Sequence, residues 1–224
     1  MPIPTTIIDD IKRSIVTILN KPGSVVYSSA NSICKGDLYM MGLNPGGSDK
    51  GTINQLIDEL STKTSNSYID ERWGTTTKKY EKGKHPLQKN YINLTKYLNN
   101  SQEVFSTNLI FTRSIDQSGA NYPLNADLCW PAHQQFIKIV DPKCLLVFGI
   151  SQISPYSYIK NKYKLPYIDK IFSEHGNWYC FATNGEIEGK NRLVIGVPHL
   201  SRYTIANYPR VMQWIKNKID NFNN

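Results

Sequence analysis

Apolar positions along the chain fall into two patterns: short unbroken runs, and longer segments in which they recur every three or four residues. Leu38–Met41, Val104–Phe111 and Cys144–Phe148 are unbroken runs too short for an amphipathic helix, and they read as buried strands. Helical spacing comes between them. Ile7, Ile8, Ile11, Ile15, Ile18 and Leu19 predict an opening helix capped by Thr5 or Thr6 and ended near Lys21-Pro22-Gly23. Ile53, Leu56, Ile57 and Leu60 predict a second helix, entered through Asp49 to Thr52, and Pro86 to Leu98 a third, stopped by Asn99-Asn100. Asp127–Val140 predicts a fourth, with Pro131 near its start, where a missing N–H does least harm. Trp178–Thr183 and Leu193–Val197 add two strands, Val25–Tyr27 a short one, and a last helix carries Ile205, Val211, Trp214, Ile215 and Ile219. Ser61 to His85 lacks apolar periodicity and is expected to be a long loop; the Lys- and Tyr-rich segment from Ile159 to Lys170 is assigned no element.

Strands alternating with helices predict an α/β fold: one three-layer α/β/α domain over residues 1–224 with a central, mainly parallel sheet. No internal repeat or linker divides it. Ligands of open α/β sheets bind beyond the carboxyl ends of the strands, so the loop around Asn44, the residues after Asn108, Gly149 and His199 are expected to gather at one edge.

Composition narrows the partners. The longest apolar run, Cys144 to Ile150, is far short of the roughly 20 residues of a spanning helix, and Met1-Pro2-Ile3-Pro4 lacks a signal-peptide pattern. A soluble, cytoplasmic monomer without membrane contact is expected. Cys34, Cys129, Cys144 and Cys180 form no C-x-x-C pair, so neither a zinc site nor a disulfide framework is signalled. Lys and Arg number 26 against 18 Asp and Glu, a net charge of +8 that favours a polyanionic partner. Lys78, Lys79, Lys82, Lys84 and Lys89, with Tyr80 and Tyr91 among them, suit phosphate contacts and equally suit a solvated loop.

The first strand ends in Gly42-Leu43-Asn44-Pro45-Gly46-Gly47. Glycine lets a ligand approach the main chain and Pro45 stiffens the turn holding Asn44; read alone, this is either a ligand loop or an ordinary turn. Asn108 lies within the second apolar run, where a buried amide needs partners, supplied by a loop tie or by a ligand. No G-x-G-x-x-G or G-x-x-x-x-G-K-[ST] phosphate loop occurs, which disfavours a nucleotide-binding enzyme. No H-x-x-x-H or paired acidic constellation suggests a metal; His85, His133 and His175 read as structural.

Taken together and in order, these motifs resemble the uracil-DNA glycosylase superfamily, over roughly residues 36 to 205. Gly42-Leu43-Asn44-Pro45-Gly46 is similar to the G-x-N-P-G motif of its mismatch-specific and single-strand-selective branches. Thr107-Asn108-Leu109 resembles the segment with the asparagine that reads the base, Asp141 to Gly149 the third-strand signature, and His199-Leu200-Ser201 the late H-P-S motif, with Leu200 where the family has Pro. The resemblance implies that Asn44 positions the attacking water and that His199 stabilises the departing base. It implies a base site formed by Gly42, Leu43, Pro45, Gly46, Asn108 and Ser201, phosphate contact by Arg202, and Tyr203 as the wedge that fills the gap left by a flipped nucleotide. The stacking aromatic is open among Tyr39, Tyr68, Trp73, Tyr80 and Tyr91. Cys129 and Cys144 resemble the later pair of an iron–sulfur branch, but the early C-x-x-C is missing, so no cofactor is expected. The implied activity is hydrolysis of the N-glycosidic bond of uracil or a related deaminated base in DNA. The alternative is an inactive member of the fold that binds nucleic acid or protein.

Overall fold

The computed structural model describes residues 4–46, 51–74, 77–98, 103–114, 118–167 and 169–222. The sheet is built outward from β1 (Leu38–Gly42), whose five residues are all buried. Burial on both faces explains why its sequence is a continuous apolar run. β2 (Phe105–Asn108) and β3 (Cys144–Phe148) flank it in parallel, and β6 (Lys190–Val197) runs parallel to β3. β5 (Tyr179–Ile187) then pairs antiparallel with β6, and β4 (Asp169–Phe172) with β5, giving the order β2-β1-β3-β6-β5-β4. The fold is a single α/β domain with a mixed, mostly parallel sheet of six strands and seven α-helices among the described residues.

Each face of the sheet carries its own core. Ile8, Ile11 and Ile15 of and after α1 (Thr5–Ser14), Ile53 and Ile57 of α2 (Ile53–Asp58), and Phe136, Ile137 and Val140 of α5 (Leu124–Val140) pack with Tyr39, Met41, Leu145 and Val147. On the other face, Tyr91 and Leu94 of α4 (Pro86–Tyr97) and Val211, Met212 and Ile215 of α7 (Pro209–Asp220) pack with Met40, Leu146, Ile195 and Val197. Alternate β1 residues therefore serve opposite cores, as the strand period requires.

Several element boundaries differ from those the sequence suggests. No side chain caps α1; Pro4 occupies that position, and the helix stops at Ser14 because residues 16–18 tighten into a 3-10 turn. Val25–Tyr27 joins the sheet through one bridge, Val26 to Thr107, rather than as a strand. The expected loop from Ser61 to His85 contains α3 (Ser67–Asp70), capped by Asn66, and α6 (Pro155–Lys162) begins at a Ser154 cap. α5 starts at Leu124, which puts Pro131 about two turns inside it rather than near its start. β2 stops at Asn108, so that residue ends the strand instead of lying within it. Ile205 belongs to a separate 3-10 turn before α7. Asp49, Asn99 and Asn100 lie outside the described residues.

His133 of α5 ties the two central strands to that helix. Its Nε2 faces the Leu109 carbonyl at 3.0 Å, so Nε2 carries the proton, and Nδ1 accepts from the Tyr39 hydroxyl at 2.6 Å. Complete burial holds its pKa down at about 4. Because the folded value lies below the unfolded one of ~6.5, the neutral histidine's contribution is complete above pH 6.5 and is lost as pH falls toward 4. Denaturant melts at pH 7 and pH 4.5 are expected to show His133→Gln losing about 2 kcal/mol less stability than the wild type over that interval. Equal losses would mean that His133 does not titrate in this way.

Candidate functional site

The register of β1 and β2 sets Gly42 opposite Asn108, at the carboxyl ends of both strands. A methyl group on Gly42 would stand 2.3 Å from Asn108 Oδ1 and 2.8 Å from Phe148 Cε2. Glycine is therefore required by close approach, not by backbone angle. Asn108 is only 6% exposed, and burial raises the pKa of the nearby Tyr27 hydroxyl, a shift that Ser24 and, least, Asn108 offset. Phe148 meets the His199 ring edge-on, with centroids 6.1 Å apart, and is paired with Val197, two residues before that histidine. Asn108, Phe148 and His199 are thus brought around Gly42.

Asn44 follows on the same strand exit. Its Nδ2 donates to Ser114 Oγ at 2.8 Å and to the Pro45 carbonyl at 3.1 Å, which consumes both amide hydrogens. Among the described residues nothing donates to Asn44 Oδ1, so that oxygen is presented as an acceptor. The chain after β2 secures this loop. Ser114 N–H donates to the Pro45 carbonyl at 3.2 Å, and Arg113 Nη1 donates to the Gly46 carbonyl at 2.5 Å. Leu43 packs half-buried against the core, Pro45 is buried and Gly46 is exposed.

The histidine loop is fixed equally firmly. Ser201 N–H donates to His199 Nδ1 at 3.3 Å, and the Ser201 hydroxyl lies 2.8 Å from the same nitrogen. An accepting Nδ1 leaves the ring proton on Nε2. Burial, and then the Arg202 guanidinium, lower the His199 pKa to about 4, so the ring is a neutral donor at pH 7. Leu200, in the position of the motif's proline, is fully buried among the α4–α7 core residues, and its carbonyl accepts from Asn90 Nδ2 at 2.7 Å. That buried bond replaces proline stiffness with an anchor from α4.

Tyr203 does not occupy a wedge position. It is fully buried, stacks on Tyr208 at 4.9 Å and donates to the Ser173 carbonyl at 2.8 Å; burying its ring and satisfying its hydroxyl hold it in the core. Arg202 is exposed and forms no ion pair among the described residues. Of the candidate stacking rings, Tyr39 contacts His133 on the α5 face, whereas Tyr68 and Tyr91 stack on each other at 3.9 Å. The aromatic nearest Gly42 is Phe148, with Tyr27 on the Asn108 side. Tyr27 is braced by Tyr68 and Trp73, and its carbonyl accepts from Lys63 Nζ at 3.1 Å. Trp73 contacts His85, which also contacts Tyr80, so the lysine-rich segment adjoins this side of the site. Lys78, Lys79, Lys82, Lys84 and Lys89 are all exposed.

The sequence did not mark Tyr27, Asn90, Arg113, Ser114 or Phe148 as site residues. Phe148 alone carried a signal, as the last residue of an apolar run at the predicted ligand edge. No group of three or more metal-ligating side chains occurs among the described residues. Cys129 lies in the α5-side core and Cys144 and Cys180 in the other, with burial pushing Cys129 and Cys180 up to about 12. His85 caps α4, and His175 faces the Tyr208 hydroxyl.

No model of a known protein family matches this chain, and no curated protein matches it. The imidazole 15N spectrum of His199 is expected to show a protonated Nε2 and unprotonated Nδ1 at pH 7, with a titration midpoint near 4. A midpoint near ~6.5 would show that the ring is open to water and not held as described.

Proposed function

We propose that this protein is a DNA glycosylase that hydrolyses the N-glycosidic bond of uracil or a related deaminated base. The observation that carries the proposal is the Asn44 Oδ1, which accepts from no described residue, at the strand edge that also holds the Asn108 amide and a neutral His199 with its proton on Nε2. Each group matches one need of the reaction. A base inside a duplex is inaccessible and must leave the stack. Asn108 then reads its edge, since an amide donates and accepts at once and so separates uracil from cytosine. Gly42 lets the Asn108 amide lie close against β1, and the buried Phe148 ring backs that contact and meets His199 edge-on.

As the glycosidic bond breaks, its electron pair leaves with the base and the sugar gains oxocarbenium character. His199 Nε2–H donates to the base oxygen as negative charge develops there. A neutral imidazole serves this role because it stabilises the anion without transferring its proton outright. Asn44 Oδ1 holds a water against the sugar; the water oxygen bonds to the anomeric carbon and its proton passes to solvent. An amide is no general base near neutral pH, so the electrophilic sugar supplies most of the activation.

A uracil-containing oligonucleotide, single-stranded or duplex, treated with alkali after incubation, tests the proposal. Cleavage by the wild type is expected, with Asn108→Ala and His199→Ala each slowing single-turnover cleavage about 10²–10³-fold. Asn44→Ala is expected to slow it similarly while leaving binding intact, and Asn44→Asp to run faster than the wild type. Salt-sensitive binding with no cleavage of any deaminated base would overturn the catalytic reading and leave a nucleic-acid-binding module.

A further inference from the structure

The outer strands of the sheet carry a feature that the hydrolytic site does not use. α7 covers the face of β5 bearing Cys180 and Ala182. The opposite face of the β4–β5 hairpin presents Lys170, Phe172, Tyr179 and Phe181, because Lys170 pairs with Phe181 and Phe172 with Tyr179. α6 lies over β3 and β6; Phe172 is left 46% exposed, Lys170 is exposed, and Tyr179 and Phe181 are half-buried. Aromatic side chains thus stand on a sheet face that the neighbouring helix does not fully roof.

These rings form a row on the sheet face opposite Phe148, and because Phe181 pairs with Gly196 the row's Tyr179 and Phe172 end reaches the edge where β6 runs on toward His199. Tyr156 packs on Gly196, three residues before His199, where a methyl group would stand 2.6 Å from the ring. From Tyr156 the row passes to Phe181 at 5.6 Å, to Tyr179 at 6.4 Å and to Phe172 at 5.6 Å. Lys170 Nζ lies 4.6 Å from the Tyr179 centroid. The Tyr156 hydroxyl is buried and has no hydrogen-bond partner among the described residues, an orphaned polar group on the row itself. Nearby acids are neutralised or turned away: Asp169 is held on the α7 side by Lys218 at 2.7 Å and Trp214 at 3.2 Å, and Glu174 pairs with Arg210 at 3.6 Å.

We infer that this row binds single-stranded DNA, stacking the bases that flank the nucleotide in the hydrolytic site and setting Lys170 against their phosphates. Exposed rings with a cation among them, on an uncovered sheet face, are the combination that binds single strands without base preference. The shared strand edge and the lack of any carboxylate on this face of the hairpin among the described residues, Glu186 standing on the Cys180 and Ala182 face, favour this partner over a second copy of the chain. The choice of DNA rests on the glycosylase proposal; the stacking row does not.

Anisotropy titrations of the whole protein with labelled, undamaged oligo(dT) and with a duplex of equal length test the inference. Phe172→Ala and Tyr179→Ala are each expected to weaken oligo(dT) binding about tenfold and to change duplex binding little. Lys170→Ala is expected to reduce the slope of log affinity against log salt by ~0.7. Trp214→Ala, on the opposite face, controls for general loss of structure and is expected to leave oligo(dT) affinity unchanged. Unchanged single-strand affinity in folded Phe172→Ala and Tyr179→Ala overturns the inference, as does a wild-type dimer that these variants dissociate without loss of oligo(dT) binding. Row-dependent binding by a protein that cleaves no uracil supports the inference and overturns only the glycosylase reading.

Discussion

The contact between Gly42 and the Asn108 amide governs the arrangement of the whole strand edge. Parallel pairing puts the two residues opposite each other, and only a residue without a side chain lets the amide and the Phe148 ring approach as they do. A Cβ there would push Asn108 away from β1, and Asn108 is followed directly by the segment that pins the Asn44 loop through Arg113 and Ser114. The opening loop is consequently not an independent motif. Its shape depends on β2, and the orientation of the Asn44 oxygen depends on Ser114.

Desolvation is the second constraint. Both His133 and His199 are held neutral, but with different results. His133 has both nitrogens occupied by Tyr39 and the Leu109 carbonyl, so its burial contributes to the scaffold alone. Among the described residues His199 has a partner at Nδ1 alone, Ser201, and its Nε2–H is the polar group of the ring that meets none. The same contrast separates the asparagines. Asn90 spends its amide on the Leu200 carbonyl, where losing a buried bond would cost about 1–3 kcal/mol, whereas Asn44 Oδ1 accepts from nothing among the described residues.

The sheet's centre was legible because buried parallel strands leave unbroken apolar runs; Cys144–Phe148 was readable to the residue. The outer strands were harder to read. β4 alternates half-buried and exposed residues, and its lysine and phenylalanine face outward, so its pattern resembles a polar segment. α3 was hidden because four residues cannot display helical periodicity. Within the site, residues in short motifs were visible as candidates, whereas Asn90, Arg113 and Ser114 act through contacts across 67 residues or more, and the Tyr27 N–H reaches the Ser106 carbonyl of a distant strand. Nothing local marks such residues.

Tyr203 shows how the same local sequence can serve a different end. A tyrosine four residues beyond His199 has the reach of a wedge, but here the 3-10 turn at Ile205 and the start of α7 fold it back against Tyr208. Leu200 is buried in the same core, so the loop is anchored at two apolar points and exposes Arg202 between them. Those anchors hold His199 rigidly, and they also leave no large ring on this loop to enter a duplex. In the proposed reaction, base extrusion from a duplex would have to rely on groups elsewhere, whereas a single strand demands no filled gap because its bases are already unstacked. Under the proposed glycosylase reading, the histidine loop and the aromatic row on the outer strands both suit an unpaired strand, whose bases are free to meet the protein's rings.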